Sequence, residues 1–275
     1  MQMGFQQNGS GGKGNSDSKR NKRKQKRLSP IQKLYETCKE VFADCGPYIV
    51  PTPDKVEKLA VVLDGMTHGD VGLRPNMPIF SSERAPIITY LHIYECDKFS
   101  IGIFCLPPTS VIPLHNHPGM TVFGKLLFGT MHIKAYDWSN EVPRNKDLVP
   151  AYPVDAKISG AVRPDGMQLA KLKVNSEFTA PCRTSILYPA DGGNMHCFTA
   201  KTACAVLDVL GPPYCDPDGR HCQYYYEYPF SEFPADIVGA TEEEKESYAW
   251  LMERDKPEEL SVVGLSYDGP KIAKK

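Results

Sequence analysis

Two histidines one residue apart, His115 and His117, stand in the stretch Pro113-Leu-His-Asn-His-Pro-Gly119. In an extended chain alternate side chains leave on the same face, so these two imidazoles would project side by side. That spacing suits chelation of one metal ion at about 2.0–2.2 Å per nitrogen. The same pattern also occurs as two plain surface histidines in a proline-bounded loop, and the pair alone does not separate the readings. Its flanks favour the metal, with strand-like runs on both sides and glycines at Gly119, Gly124 and Gly129. A third ligand must then come from a distant strand. The candidate is His196 in Tyr188-Pro-Ala-Asp-Gly-Gly-Asn-Met-His196-Cys-Phe198, where a glycine-rich turn delivers a histidine to the start of a strand. His68 and His92 lack a ligand-spaced partner. His132 lies in a strand-like run and is read as a hydrogen-bonded structural residue, and His221 falls in a loop.

Bringing such distant positions together requires a sheet scaffold, and the sequence supplies one. From Ile87 onward short β-type runs alternate with Gly, Pro and Asn/Asp: 87–94, 99–106, 120–128 and 131–137. After a loop-rich middle they resume at 168–174, 178–180, 184–188, 196–199, 203–210 and 223–228. Many short strands with frequent turn signals predict a sandwich or barrel. Two packing helices precede them. Ser29-Pro30 reads as an N-cap followed by proline at the first helical position, and Ile31, Leu34, Tyr35, Cys38, Val41 and Phe42 follow the helical period up to Gly46-Pro47. A second helix begins near Asp54 with Val56, Leu59, Ala60 and Leu63 on one face. Thr241-Glu-Glu-Glu244 has the form of a capping box and predicts a late helix running through Trp250 to Met252.

The formal net charge of −1 conceals an asymmetry. Residues 1–29 carry eight Lys/Arg against one acid, Asp17, for +7, which leaves the rest of the chain at −8. An acidic body is a poor nucleic-acid surface, and direct nucleic-acid binding is not expected. Residues 1–29 are poor in apolar side chains and read as a disordered tail. Within it Lys19 to Arg27 has seven basic residues in nine, consistent with a nuclear import signal or with a solvated tail of loose anion affinity. No signal peptide is evident near Met1, and runs such as Leu59–Leu63 are too short to span a bilayer. Nine cysteines without a C-x-x-C read as free thiols in a reducing compartment. The expected organisation is a tail over 1–29, one β domain over 30–255 and a partly flexible segment over 256–275. The expected state is monomeric.

The two histidine motifs carry a resemblance. His115-x-His117 with Gly129, then Pro189, Gly192 and His196, resembles the paired motifs of cupins. The cupin Glu is missing, since Thr121 and Val122 occupy its place, and the Asn of the second motif is Ala200. A three-histidine site without carboxylate is that of thiol dioxygenases. Leu106-Pro-Pro-Thr-Ser-Val-Ile-Pro-Leu-His-Asn-His-Pro-Gly-Met-Thr-Val-Phe-Gly-Lys-Leu-Leu-Phe-Gly-Thr130 and Asp208-Val-Leu-Gly-Pro-Pro-Tyr214 are similar to the plant cysteine oxidases and their animal relative cysteamine dioxygenase. The likeness covers residues 30–255. It implies a mainly β cupin fold (a double-stranded β-helix) with packing helices at the N-terminus and near the C-terminus, and Fe(II) held by His115, His117 and His196. It also implies oxidation by O2 of an exposed N-terminal Cys on target proteins, in the family hypoxia-responsive transcription factors, to the sulfinic acid. That oxidation marks targets for degradation. The expectation of nuclear and cytoplasmic locations rests on the basic tail alone.

Such chemistry is reasonable for these residue types. Three neutral imidazoles leave the charge of a ferrous ion uncompensated and one side open, which suits O2 chemistry and an incoming thiolate. Around the metal the resemblance points to four further groups. Asp208 would pair with the substrate α-ammonium or order water. Tyr214 would position O2 or substrate, or else be a core tyrosine. Cys222 and Tyr224, at i and i+2, can face one side, and in the animal relative such a pair can form a thioether crosslink. Competing readings are a dioxygenase of cysteamine or free cysteine, with Arg183 as the nearest cation to the late motif, and a non-enzymatic cupin holding Zn or Ni.

Overall fold

The computed structural model describes residues 28–81, 86–139, 166–232 and 241–274. Residues 1–27 of the basic tail lie outside them. Helices α1 (Pro30–Val41) and α2 (Pro53–Asp64) open the chain, and the Ser29 hydroxyl caps the first by accepting from the Gln32 amide. Their predicted apolar stripes are buried.

Among the described residues twelve strands follow: β1 (Ile88–Cys96), β2 (Phe99–Leu106), β3 (Val111–His115), β4 (Thr121–Phe128), β5 (Thr130–Trp138), β6 (Gln168–Thr179), β7 (Ser185–Leu187), β8 (Met195–Ala200), β9 (Cys204–Gly211), β10 (Tyr224–Pro229), β11 (Tyr248–Arg254) and β12 (Val262–Ser266). One sheet has the order β12-β1-β2-β9-β4-β7. The other runs β10-β11-β6-β5-β8-β3 and closes on itself through the pair Tyr224 and His115. This is the predicted cupin-type architecture.

The period of two divides the work of the first sheet. On β2, β4 and β9 the side chains of Ile101, Ile103, Phe123, Leu127, Leu207 and Val209 join α1 and α2 in the largest apolar core. The intervening positions turn toward the second sheet, where Leu106, Leu126 and Val206 meet Ile112, Met131 and Phe198. Each fully buried Leu, Ile or Phe contributes roughly 1.5–3 kcal/mol, so the helix-backed face anchors the sheet while the inner face is free to hold polar groups.

One expectation is corrected near the C-terminus. The predicted helix to Met252 ends after one short turn, α3 (Glu242–Glu246), and β11 takes over. Ala249 and Leu251 face one apolar cluster while Trp250 stacks on Phe230 in another. A strand buried on both faces reads as a continuous apolar run, which periodicity cannot tell from a buried helix. Past residue 255, β12 pairs in parallel with β1 from Ile88–Val262 to His92–Ser266. Among the described residues no helix is long and apolar enough to cross a membrane.

Candidate metal centre

The strand register assembles the three histidines. His115 ends β3 and lies directly opposite His196 of β8. Directly opposed residues hold their Cβ atoms about 4.5–5.5 Å apart, so this pairing sets two ligands side by side. His117 follows just past the strand end, beyond a register shift between Ile112 and His115. The three imidazole centroids lie 4.8–5.0 Å apart, and their ligand atoms all fall within 4.8 Å of one another. All three residues are buried. The predicted convergence is therefore present, although His117 leaves from a loop rather than from the strand.

Hydrogen bonds fix the tautomers of His115 and His117. His115 Nδ1 donates to the Pro113 carbonyl at 2.8 Å, leaving Nε2 as acceptor. The Tyr214 hydroxyl donates its one proton to the Asn116 carbonyl at 2.7 Å, and so accepts from His117 Nδ1 at 2.9 Å. His117 Nε2 then points at His196 Nε2, 3.2 Å away. Two nitrogens bound at right angles to one ion at about 2.0–2.2 Å are separated by about 3 Å, close to the spacing observed. Burial holds all three imidazoles below their usual titration range, and mutual repulsion adds to this at His117 and His196. Neutral imidazoles with Nε2 lone pairs converging are what a divalent cation requires. Among the described residues the cluster contains no carboxylate.

The ligand loops are tied down by residues that sequence reasoning missed. Asn194 Oδ1 accepts from the His117 amide, and Asn194 Nδ2 donates to the Tyr188 carbonyl. The buried Asp137 carboxylate accepts from the amides of Gly193 and Asn194. Gly193 has φ +87°, and a Cβ there would sit 2.6 Å from that of Ala135. The turn before His196 therefore needs glycine at this point, for both conformation and space. Asn116 links its own loop to β10 by accepting from the Gln223 amide and donating to Tyr225. The Asn of His-Asn-His and the acid ending β5 were the available signals. Neither spacing nor composition reveals their partners.

The three histidines open on a cavity between β1, β2, β12 and β3 that Asp208, Tyr214, Cys222 and Tyr224 also line. Every predicted site residue is thus gathered around one space. Asp208 stands on β9 between two glycines of adjacent strands, Gly102 and Gly124. Burial pushes its carboxyl up to about 7. The Cys222 thiol is within hydrogen-bond reach of the Tyr214 and Tyr224 hydroxyls, and burial raises all three groups above their usual range. Phe198 stacks beneath His196 at 4.3 Å with rings 19° from parallel. Exposed Glu95 and Lys256 stand at the rim. The remaining histidines stay outside. His132 lies on the face of β5 opposite Met131 and Ile133, and His68 Nδ1 donates locally to the Leu73 carbonyl. Arg183 lines a different cavity.

A family model described as PCO_ADO matches residues 62–272. The chain belongs to this family. PCO_ADO members are thiol dioxygenases, and the chain is accordingly an oxidoreductase of that type. It is 58% identical to Plant cysteine oxidase 2 of Arabidopsis thaliana over 94% of this chain and 89% of the relative. It is 55% identical to Plant cysteine oxidase 1 of the same plant, over 89% and 81% respectively. The human 2-aminoethanethiol dioxygenase is 31% identical over 80% of this chain and 82% of its own length. Among solved structures, an RmlC-like cupin from Desulfovibrio desulfuricans aligns with 52% of this chain and 94% of its own at 13% identity and a TM-score of 0.27. The missing cupin carboxylate agrees with the PCO_ADO assignment: Thr121 and Val122 are buried and contribute no ligand.

Proposed function

We propose that this chain uses Fe(II) and O2 to oxidise the N-terminal cysteine of target proteins to the sulfinic acid. The observation that carries the reading is a buried three-histidine cluster, free of carboxylate, facing a cavity whose inner wall bears Asp208. The overall change is thiol plus O2 to sulfinic acid, with both oxygen atoms ending on sulfur and all four electrons coming from it. Fe(II), when bound, supplies the redox-active centre for thiolate and O2.

The protein groups have separate tasks. His115, His117 and His196 would hold the ion, and Tyr214 positions His117 through its Nδ1 proton. Asp208 offers a carboxylate to the α-ammonium of the incoming residue, and that pairing favours its ionised form against the cost of burial. Cys222 and Tyr224 line the wall beside the reacting sulfur. Their proximity supports a thioether crosslink, which intact-protein mass spectrometry would report as a loss of two hydrogens. The targets are proteins whose lifetime then depends on oxygen, and residues 19–27 distribute the enzyme between nucleus and cytoplasm. Deleting those residues should shift a fluorescent fusion out of the nucleus; an unchanged distribution removes that part of the proposal.

Incubation of iron-loaded protein with a short peptide beginning in Cys should add about 32 Da, two oxygen atoms. The same peptide beginning in Ser should be unaltered. No mass gain on any Cys-initiating peptide overturns the proposal, and faster turnover of cysteamine or free cysteine than of the peptide favours a small-thiol enzyme.

A further inference from the structure

A second cavity of about 240 Å³ reaches the metal cluster from the opposite seam between the sheets. Leu126, Met131, Ile133, Phe178, Ile186 and Val206 form its walls. Its outer end lies beside exposed Arg183, with Cys182 and Ser185 close by. Its inner end is made of His196, Phe198 and Asp208, the three residues that also line the cavity facing all three histidines. The two spaces therefore approach one metal centre from different seams and share these three side chains.

We infer that the apolar cavity is a binding and entry site for dioxygen, separate from the polar cavity through which the thiol arrives. This deepens the proposed dioxygenase reading and rests on it. A peptide N-terminus carries an ammonium whose transfer into an aliphatic space costs several kcal/mol. The cavity edged by Tyr90, Ser100, Glu95 and Lys256 offers it polar company on the way in, whereas the other is walled by aliphatic side chains between Arg183 at its outer end and Asp208 at its inner end. Dioxygen is small and apolar and leaves no hydration behind. Apolar cavities on the order of 150 Å³ stay dry and take up xenon, and this one is larger. Gly124 keeps the inner end open, since a Cβ there would lie 3.2 Å from Asp208 Oδ1 and 4.0 Å from Val206 Cγ1.

Xenon binding, measured on pressurised crystals of the full chain and by xenon NMR in solution, tests the site without catalysis. Two variants narrow it: Ile133→Phe midway and Val174→Trp at the outer end. Wild type should bind xenon among Leu126, Met131, Ile133 and Val206, and each variant should lose it. In each, KM for O2 should rise about five-fold or more while KM for the Cys-peptide stays within about two-fold. Absence of xenon from wild type overturns the inference, as does an unchanged KM for O2 in both variants. A rise in peptide KM alone would assign the space to a substrate side chain. Peptide oxidation by wild type is the control for the underlying reading; without it that reading falls, and the passage with it.

Discussion

The two faces of the first sheet are built from the same strands and do opposite work. Toward the helices, β9 presents Leu207 and Val209 to an apolar core with α1 and α2. Toward the second sheet it presents Val206 and Asp208, a carboxyl kept buried in a cavity beside three histidines. Burying a charge without a partner is costly, and the raised Asp208 titration expresses that cost. The helix-backed face carries enough apolar burial to tolerate it. A strand alternating between these demands shows stability and chemistry separated by one residue step.

Replacing single side chains on either face should separate the two roles. His196→Ala should give the largest effect, near-complete loss of peptide oxidation and of stoichiometric metal, with the melting temperature of metal-free protein nearly unchanged. Metal analysis and calorimetry check both parts. Leu207→Ala on the helix-backed face should cost about 2–5 kcal/mol of stability, read from denaturant unfolding, while the folded fraction binds metal as before. Tyr214→Phe removes the acceptor of the His117 Nδ1 proton and should weaken metal affinity or activity about 10–100-fold, with little change in unfolding midpoint.

Asp208 gives a pH signature. Its folded pKa of about 7 lies above the ordinary 3.8, so the folded state binds the proton more tightly. Its contribution is fully present below the ordinary value and is lost as pH rises toward about 7. Metal-free Asp208→Asn should therefore exceed wild type in stability at pH 8 by more than at pH 4, and should lack the rise in kcat/KM through neutrality that is expected of wild type. Equal stability differences at both pH values would contradict the buried-charge account. Gly124→Ala should have the smallest effect, a several-fold fall in kcat/KM, because its Cβ meets Asp208 Oδ1 at 3.2 Å and a small shift relieves it.

The histidine cluster was legible because it rests on local rules: a one-residue spacing, a glycine-rich turn and strand runs with clear punctuation. Phe99–Leu106 formed as read, and the runs at 168–174 and 178–180 joined into the single strand β6. What escaped was long-range. Asp137 supports the Gly193–Asn194 turn across more than fifty residues of sequence, and the His117 amide finds Asn194 at a separation of 77. The β11 segment carries no alternation because both of its faces are buried, and β12 is largely exposed and gains its place only by pairing with β1. Pairings of that range have no signature in periodicity, spacing or composition.

Iron K-edge absorption of the ferrous-loaded protein examines the central claim most directly. Three imidazole nitrogens at about 2.0–2.2 Å are expected, with a sulfur neighbour appearing when a Cys-initiating peptide is added without oxygen and absent with its Ser counterpart. An iron coordinated by a protein carboxylate, or one whose neighbours do not change on adding the thiol, would contradict the account.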